Sequence, residues 1–169
     1  NYVRFVFRHM KTISIKEKGY PPLLREISDP PEKLYIEGEL TREDFAKSIA
    51  IVGTRNNSEY GKQAAMYFAR ALAEQGFTIV SGLARGIDAI AHKAALDAGG
   101  RTIAVLGTGI DIIYPSENRA LAKEIIKHGV LISEFEPGTH AMPYHFPQRN
   151  RIVSGLSLGV IVIEAPEKS

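Results

Sequence analysis

The chain has 169 residues, 44% of them hydrophobic, and a net charge of +2, so it is long enough for one domain with a real core. It has no cysteine, which excludes disulfides, thiolate nucleophiles and cysteine-ligated zinc, and no apolar run approaches the ~18 residues of a membrane span. The small bulk charge does not announce a nucleic-acid binder, so any anion site must be local; a cytoplasmic location without a membrane partner is expected.

Residues 1–19 are set apart as an N-terminal segment. Its first nine residues, NYVRFVFRH, end at a His-Met pair that resembles a cloning junction, so they read either as vector-derived or as native. Residues 20–47 form an extension expected to pack on the core; their prolines predict a short helix over 23–27 and an extended segment over 34–37. From Ser48 onward, short runs rich in Ile, Val and Leu alternate with helical stretches. SIAIVGT (48–54), FTIVSG (77–82), RTIAVLGTG (101–109), GVLISEF (129–135) and LGVIVIEA (158–165) predict strands covered on both faces. One helix is expected from Ser58 to Gly76 with Ala64, Phe68 and Leu72 on one face. A second runs from the Gly86-Ile87-Asp88 turn to Gly99-Gly100, and a third follows Pro115-Ser116 and stops at Gly129. This alternation predicts an α/β fold: a doubly wound, mainly parallel sheet with helices on both faces. The last apolar run, within LSLGVIVIE (156–164), reads as a buried strand. Only APEKS follows it, with no helix for its second face, so the domain at 48–169 is expected to be incomplete at the C-terminus.

Ligands of an open parallel sheet bind beyond the carboxyl ends of the strands, where the strand order reverses. Four stretches fall there. In GTRNNSEYG (53–61), Gly53 permits close backbone approach, Arg55 offers a fork of donors, and Ser58 is an N-cap whose helix end favours an anion. The competing reading is an ordinary turn with a solvated arginine. In SGLARGIDAIAH (81–92), Gly82 and Gly86 suggest tight curvature, Arg85 precedes the helix, and Asp88 and His92, four apart, share a face. Either the amides at the helix start hold a phosphate, or Ser81, His92 and Asp88 form a nucleophile triad. The absence of an oxyanion hole and a nucleophile elbow from the sequence counts against the triad. Asp88 is expected to cap the helix or to order the loop by pairing with Arg85 or His92.

In LGTGIDIIYPSEN (106–118), Ile112 stands where a dinucleotide motif needs its third glycine, and no acidic residue closes the second strand. The Gly61-Lys62-Gln63 run also fails as a phosphate loop. The fourth stretch, EPGTHAMPYHFPQ (136–148), carries His140 and His145 at a spacing that does not suit a metal. No cofactor, metal or catalytic residue follows. The aromatics Tyr144 and Phe146 lie near Arg149 and Arg151, and flat faces beside guanidinium forks suit single-stranded nucleic acid; the alternative is that Phe146 is simply core. A helix beginning at Gln148 would set Arg149 and Arg151 roughly 200° apart around its axis. One would then brace the loop while the other, or Asn150, faces the cleft.

Taken in order, IAIVGTRNNSEYG, TIVSGLARGIDAIAH, TIAVLGTGIDIIYPSEN, GVLISEFEPGT and FPQRNRIVSGLS resemble the DNA-processing protein A (DprA/Smf) family, as does the upstream YPPLLREISDPPEKLYIEG. The resemblance implies a Rossmann-like domain that binds single-stranded DNA without sequence specificity, protects incoming strands in natural transformation, helps load the RecA recombinase and acts as a homodimer, with no defining catalytic activity. By position it implies a pocket of Gly53, Thr54, Arg55, Ser58, Ser81, Gly82, Arg85 and Gly86, completed by Phe146, Arg149, Asn150 and Arg151, with Asp88 and His92 as structural support. Two other readings stand beside it. A phosphoribohydrolase-like enzyme would use Glu134 or Glu136, although Glu136-Pro137-Gly138-Thr139 matches that family's phosphate loop only loosely. A protein-interaction scaffold would leave nucleic-acid binding indifferent to Arg55→Ala.

Overall fold

The computed structural model describes residues 10–165; the expectation for residues 1–9 lies outside the described residues, as do residues 166–169. In chain order the elements are β1 (Lys11–Ser14), α1 (Pro22–Arg25), β2 (Lys33–Gly38), α2 (Arg42–Ala46), β3 (Ser48–Gly53), α3 (Glu59–Glu74), β4 (Thr78–Ser81), α4 (Ile87–Asp97), β5 (Thr102–Val105), a 3-10 turn (Ser116–Asn118), α5 (Arg119–His128), β6 (Val130–Ser133), α6 (His145–Gly155) and β7 (Gly159–Ile163). The described strands form one sheet in the order β1-β2-β6-β5-β4-β3-β7. The five strands from β6 to β7 are parallel, while β2 runs antiparallel to β6 and β1 antiparallel to β2.

This is the mainly parallel, doubly wound sheet that the alternating pattern predicts. From β3 the chain steps to β4, β5 and β6 in one direction, so right-handed crossovers place α3, α4 and α5 on one face. Ile51, Ile79 and Ile163 meet Ala65, Ala69, Ala91 and Ala95 there, and Ala104 and Leu131 meet Ala122 and Ile125. The chain then returns across the opposite face through α6 to β7, on the far side of β3. Ile152, Val153 and Leu156 of α6 cover Val80, Ile103 and Ile132, joined by Tyr20, Leu24 and Leu34 from the N-terminal extension. The strand order reverses between β3 and β7.

Four local expectations differ from the structure. On α3 the fully buried stripe is Gly61, Ala65, Ala69 and Ala73, whereas Phe68 is 42% exposed. Close packing against α4 selects the smallest side chains and leaves no room for the phenyl ring. β5 stops at Val105 rather than continuing to Gly109, because the chain turns away through Gly107. Helix α6 begins at His145, before Gln148; Pro147 lies in its first turn, where a missing N–H breaks no intrahelical bond. Finally, β7 is not buried on both faces: Ile161 and Ile163 pack on the α3 side, whereas Val160 is 46% and Val162 61% exposed, because no helix among the described residues covers the face they share.

At the amino ends of the strands a buried carboxylate ties three elements together. Asp44 closes a capping box with Thr41 at the start of α2. It also accepts from Thr78 Oγ1 at 2.7 Å and from Arg101 Nε and Nη2 at 2.9 and 2.8 Å. No helix among the described residues is long and apolar enough to cross a membrane.

Candidate functional site

An open cleft of about 510 Å³ lies at the carboxyl ends of β3 and β4, beside the start of α6, at the point where the strand order reverses. Gly53, Arg55, Gly82, Phe146, Arg149 and Asn150 are among its lining residues. The turns after β3 and β4 interlock. Gly86 has a φ of +73°, and a Cβ there would come within 2.4 Å of Thr54 O, so only glycine fits. The Ile87 N–H beside it donates to Thr54 O at 3.2 Å.

Arg149 is buried in the cleft wall. Its Nη1 donates to Gly82 O at 2.5 Å and to Val105 O, which joins the ends of β4 and β5, and its Nε donates to Asn150 Oδ1 at 3.1 Å. The guanidinium lies against Gly82, where a Cβ would approach its Cζ to 2.5 Å. Asp88, also buried, orders the same turn by accepting from the Gly82 and Ala84 amides at 3.1 and 3.3 Å. Burial raises the Asp88 carboxyl and lowers the Arg149 guanidinium, and in each case the charge of the other opposes the shift. Two guanidinium groups lie near the Phe146 ring, with Arg55 Cζ 5.4 Å and Arg149 Cζ 5.9 Å from its centre, and the Tyr114 ring is 5.5 Å away. Arg55 is exposed and makes no ion pair among the described residues.

The structure distributes the other expected residues differently. Arg151 braces the loop: it pairs with Glu134 through Nη1 and Nη2 at 2.8 and 2.7 Å, and with Asp29 through Nε at 3.2 Å. Arg149 is anchored inward, and Asn150 is the exposed member of the trio. Arg85 pairs with Glu117, not with Asp88, through Nε and Nη2 at 2.6 and 2.8 Å. The amides of Gly82 and Ala84 that a phosphate would want are already taken by Asp88.

Ser58 caps α3 by accepting from Gly61 N, but a carboxylate of the chain already sits at that helix end. Glu164 accepts from Ser58 N at 2.9 Å and from Ser58 Oγ at 3.0 Å, and Glu164 O accepts from Thr54 N at 2.8 Å. Gly61 supplies the space, since a Cβ there would fall 1.9 Å from Glu164 Oε2.

The triad reading fails on geometry. Ser81 Oγ donates to Ile51 O at 2.6 Å, and His92 lies 2.6 Å from Thr102 Oγ1, at the amino end of β5 and so away from the cleft. Thr102 spends its own proton on Ile79 O, so His92 Nδ1 is the donor. Burial, then the charge of Arg149, pushes His92 down to about 3, which keeps it neutral. His92 therefore supports the helix–sheet packing rather than the cleft directly.

Sequence reasoning missed Glu117, Glu164 and Asn118. Asn118 Nδ2 donates to Leu83 O at 2.9 Å, which steadies a non-glycine residue with a φ of +58°. An asparagine following a serine-proline helix start looks like an ordinary cap, and no local signal marks its reach back to Leu83.

The model of the DNA recombination-mediator protein A family matches residues 11–169. Over 160 residues the chain is 48% identical to the DNA processing protein DprA of Bacillus subtilis, covering 95% of this chain and 54% of that protein. It is 49% identical to protein Smf of Synechocystis over 156 residues, covering 90% of this chain and 39% of that one. The chain thus spans about half the length, or less, of these curated relatives. Among solved structures, DprA from Streptococcus pneumoniae matches with a TM-score of 0.87 and 41% identity, over 96% of this chain and 57% of that one. DprA from Helicobacter pylori, whose structure is described for its single-stranded DNA binding mode, matches with a TM-score of 0.88 and 36% identity, over 99% of this chain and 74% of that one. Matched along its sequence from Lys11 onward and in its fold, the chain belongs to the DNA recombination-mediator protein A family, also called DprA/Smf.

Proposed function

We propose that the domain at 48–169, with the extension at 20–47 packed on it, is the single-stranded DNA-binding core of a recombination mediator. Arg55 carries the reading: an exposed guanidinium with no carboxylate partner among the described residues lies over the Phe146 ring, with the tilted Tyr114 ring beside it, in an open cleft. A cation for phosphate beside flat faces for bases binds strands without reading sequence, because every base has a π-face. Arg149, Gly82 and Asp88 hold the platform in shape. Asn150, Gly53 and Thr54 flank the strand's path, and Ser58 fixes the turn that carries Arg55. The whole protein, acting in the cytoplasm as a homodimer, would protect incoming strands and help load RecA onto them; the H. pylori relative's described DNA binding and the family's recombination-mediator description support the strand-binding and recombination parts of this reading. The chemistry is binding rather than catalysis, and the Glu134 that a hydrolase would use as a base is paired to Arg151.

The test is fluorescence anisotropy of a labelled oligo-dT strand against the full-length protein over a salt series. Arg55→Ala is expected to weaken binding about tenfold and to flatten the slope of log K against log salt by ~0.7, the loss of one phosphate contact. A matching duplex should bind poorly. If Arg55→Ala binds like the wild type, the cleft is not the DNA site.

A further inference from the structure

We infer that Glu117 is an internal competitor for DNA phosphate at Arg85, so that the cleft holds one cation in reserve. The inference rests on the DNA reading above and specifies how the site is tuned. Of the four arginines around the cleft, Arg149 and Arg151 are committed to internal partners and Arg55 is open. Arg85 is intermediate. It shares a small pocket at the cleft mouth with Arg55, Tyr114 and Phe146, yet its Nε and Nη2 face the two oxygens of Glu117. That bidentate geometry is the one a phosphate would take.

One observation separates this pair from a chance surface contact, and another makes it exchangeable. First, Glu117 is positioned: its neighbour Asn118 bonds to the Leu83 and Ala84 carbonyls, which pins the 3-10 turn to the turn that carries Arg85. Second, the pair is cheap to open, since the Arg85 and Glu117 side chains are 58% and 53% exposed and exposed ion pairs contribute little. A strand stacked on Phe146 and Tyr114 brings phosphate next to Arg85, where it exchanges for the Glu117 carboxylate. The freed carboxylate then recruits a cation from solution, which offsets the counterion released at the phosphate.

The test uses full-length wild-type protein, Glu117→Gln, Arg85→Ala and the double variant, with labelled oligo-dT over a salt series. Glu117→Gln should bind roughly three- to fivefold tighter, the worth of an exposed pair, and its salt slope should steepen by ~0.7. Because the expected change is a gain, misfolding cannot imitate it. The gain should vanish in the Arg85→Ala background. Unchanged or weaker binding by Glu117→Gln overturns the inference. So does a gain that persists without Arg85, which would report a general field effect of removing a negative charge. A wild type that does not bind the strand overturns the DNA reading and this inference with it, whereas a wild type that binds with no gain in Glu117→Gln overturns this inference alone.

Discussion

Arg149→Ala should destabilise the protein by about 3–5 kcal/mol and weaken strand binding about tenfold, because it removes one partner of a buried charged network. The Gly82 and Val105 carbonyls lose their donor, Asp88 loses its nearby counter-charge, and Phe146 loses one of the two guanidinium groups near its ring. The cost is a large part of the ~5–15 kcal/mol that holds a domain together, so denaturant unfolding reads it directly. A pH signature follows. Asp88 is already raised by burial, and without Arg149 it rises further. A carboxyl whose folded pKa lies above its unfolded value of about 3.9 favours folding in its protonated form. The variant should therefore lose stability as pH climbs from about 4 through that raised pKa, more steeply than the wild type. Arg149→Lys keeps a charge but not the planar fork, and should recover only part of the loss. A variant as stable as the wild type would show that the two strand ends hold together without this bridge.

The second large effect belongs to the opposite end of the sheet. Asp44→Ala should cost about 3 kcal/mol, roughly 6–12 °C in Tm for a domain of this size, and leave strand binding unchanged. Burial on its own raises the Asp44 carboxyl, but hydrogen bonds from Arg101, Thr41 and Thr78 outweigh it and hold the group below its ordinary value. Its contribution is therefore present above the unfolded pKa of about 3.9 and is lost as pH falls through the lower folded pKa. Acid unfolding should begin below pH ~4 in the wild type and have a shallower slope in Asp44→Asn. Differential scanning calorimetry over that range, paired with anisotropy at neutral pH, separates stability from binding. A fall in strand affinity that matched the fall in Tm would contradict the independence of the two ends.

Strands β3 to β6 were readable because a strand covered on both faces is a continuous apolar run, whatever its neighbours. β7 carries the same run, yet Val160 and Val162 are exposed; an apolar run does not by itself report whether a helix covers a strand's second face. The buried stripe of α3 was obscured for a related reason. Glycine and alanine carry a weak hydrophobic signal, so periodicity groups Phe68 with Ala64 and Leu72; the latter two do pack on the core, but helix proximity gives its centre to Gly61 and Ala65 and leaves Phe68 exposed. In the cleft, Arg55, Phe146 and the glycine turns were visible as residue types in telling places. Their partners were not. Glu117 lies 32 residues from Arg85 and Glu164 lies 106 from Ser58, and only the folded chain brings each pair together. The arginine–asparagine–arginine stretch was expected to split its duties around a helix, and it does so through contacts with Gly82, Glu134 and Asp29 that no spacing rule supplies.

The seam of small residues between α3 and α4 has a consequence for how such proteins can vary. Ala65, Ala69 and Ala73 meet Ala91, Ala94 and Ala95, so the two helices sit about as close as helix axes come, ~8 Å. Ala65 and Ala91 are fully buried, so an extra methylene at either should strain the seam and can be relieved by a shift of α4. That helix carries Asp88 near its front end, and Asp88 sets the turn on which Arg149 rests. Methyl groups remote from the cleft thus support the turn that lines it. A library confined to cleft residues would miss this lever, and divergence between homologous chains in the shape of the cleft can arise at positions that look like mere filler.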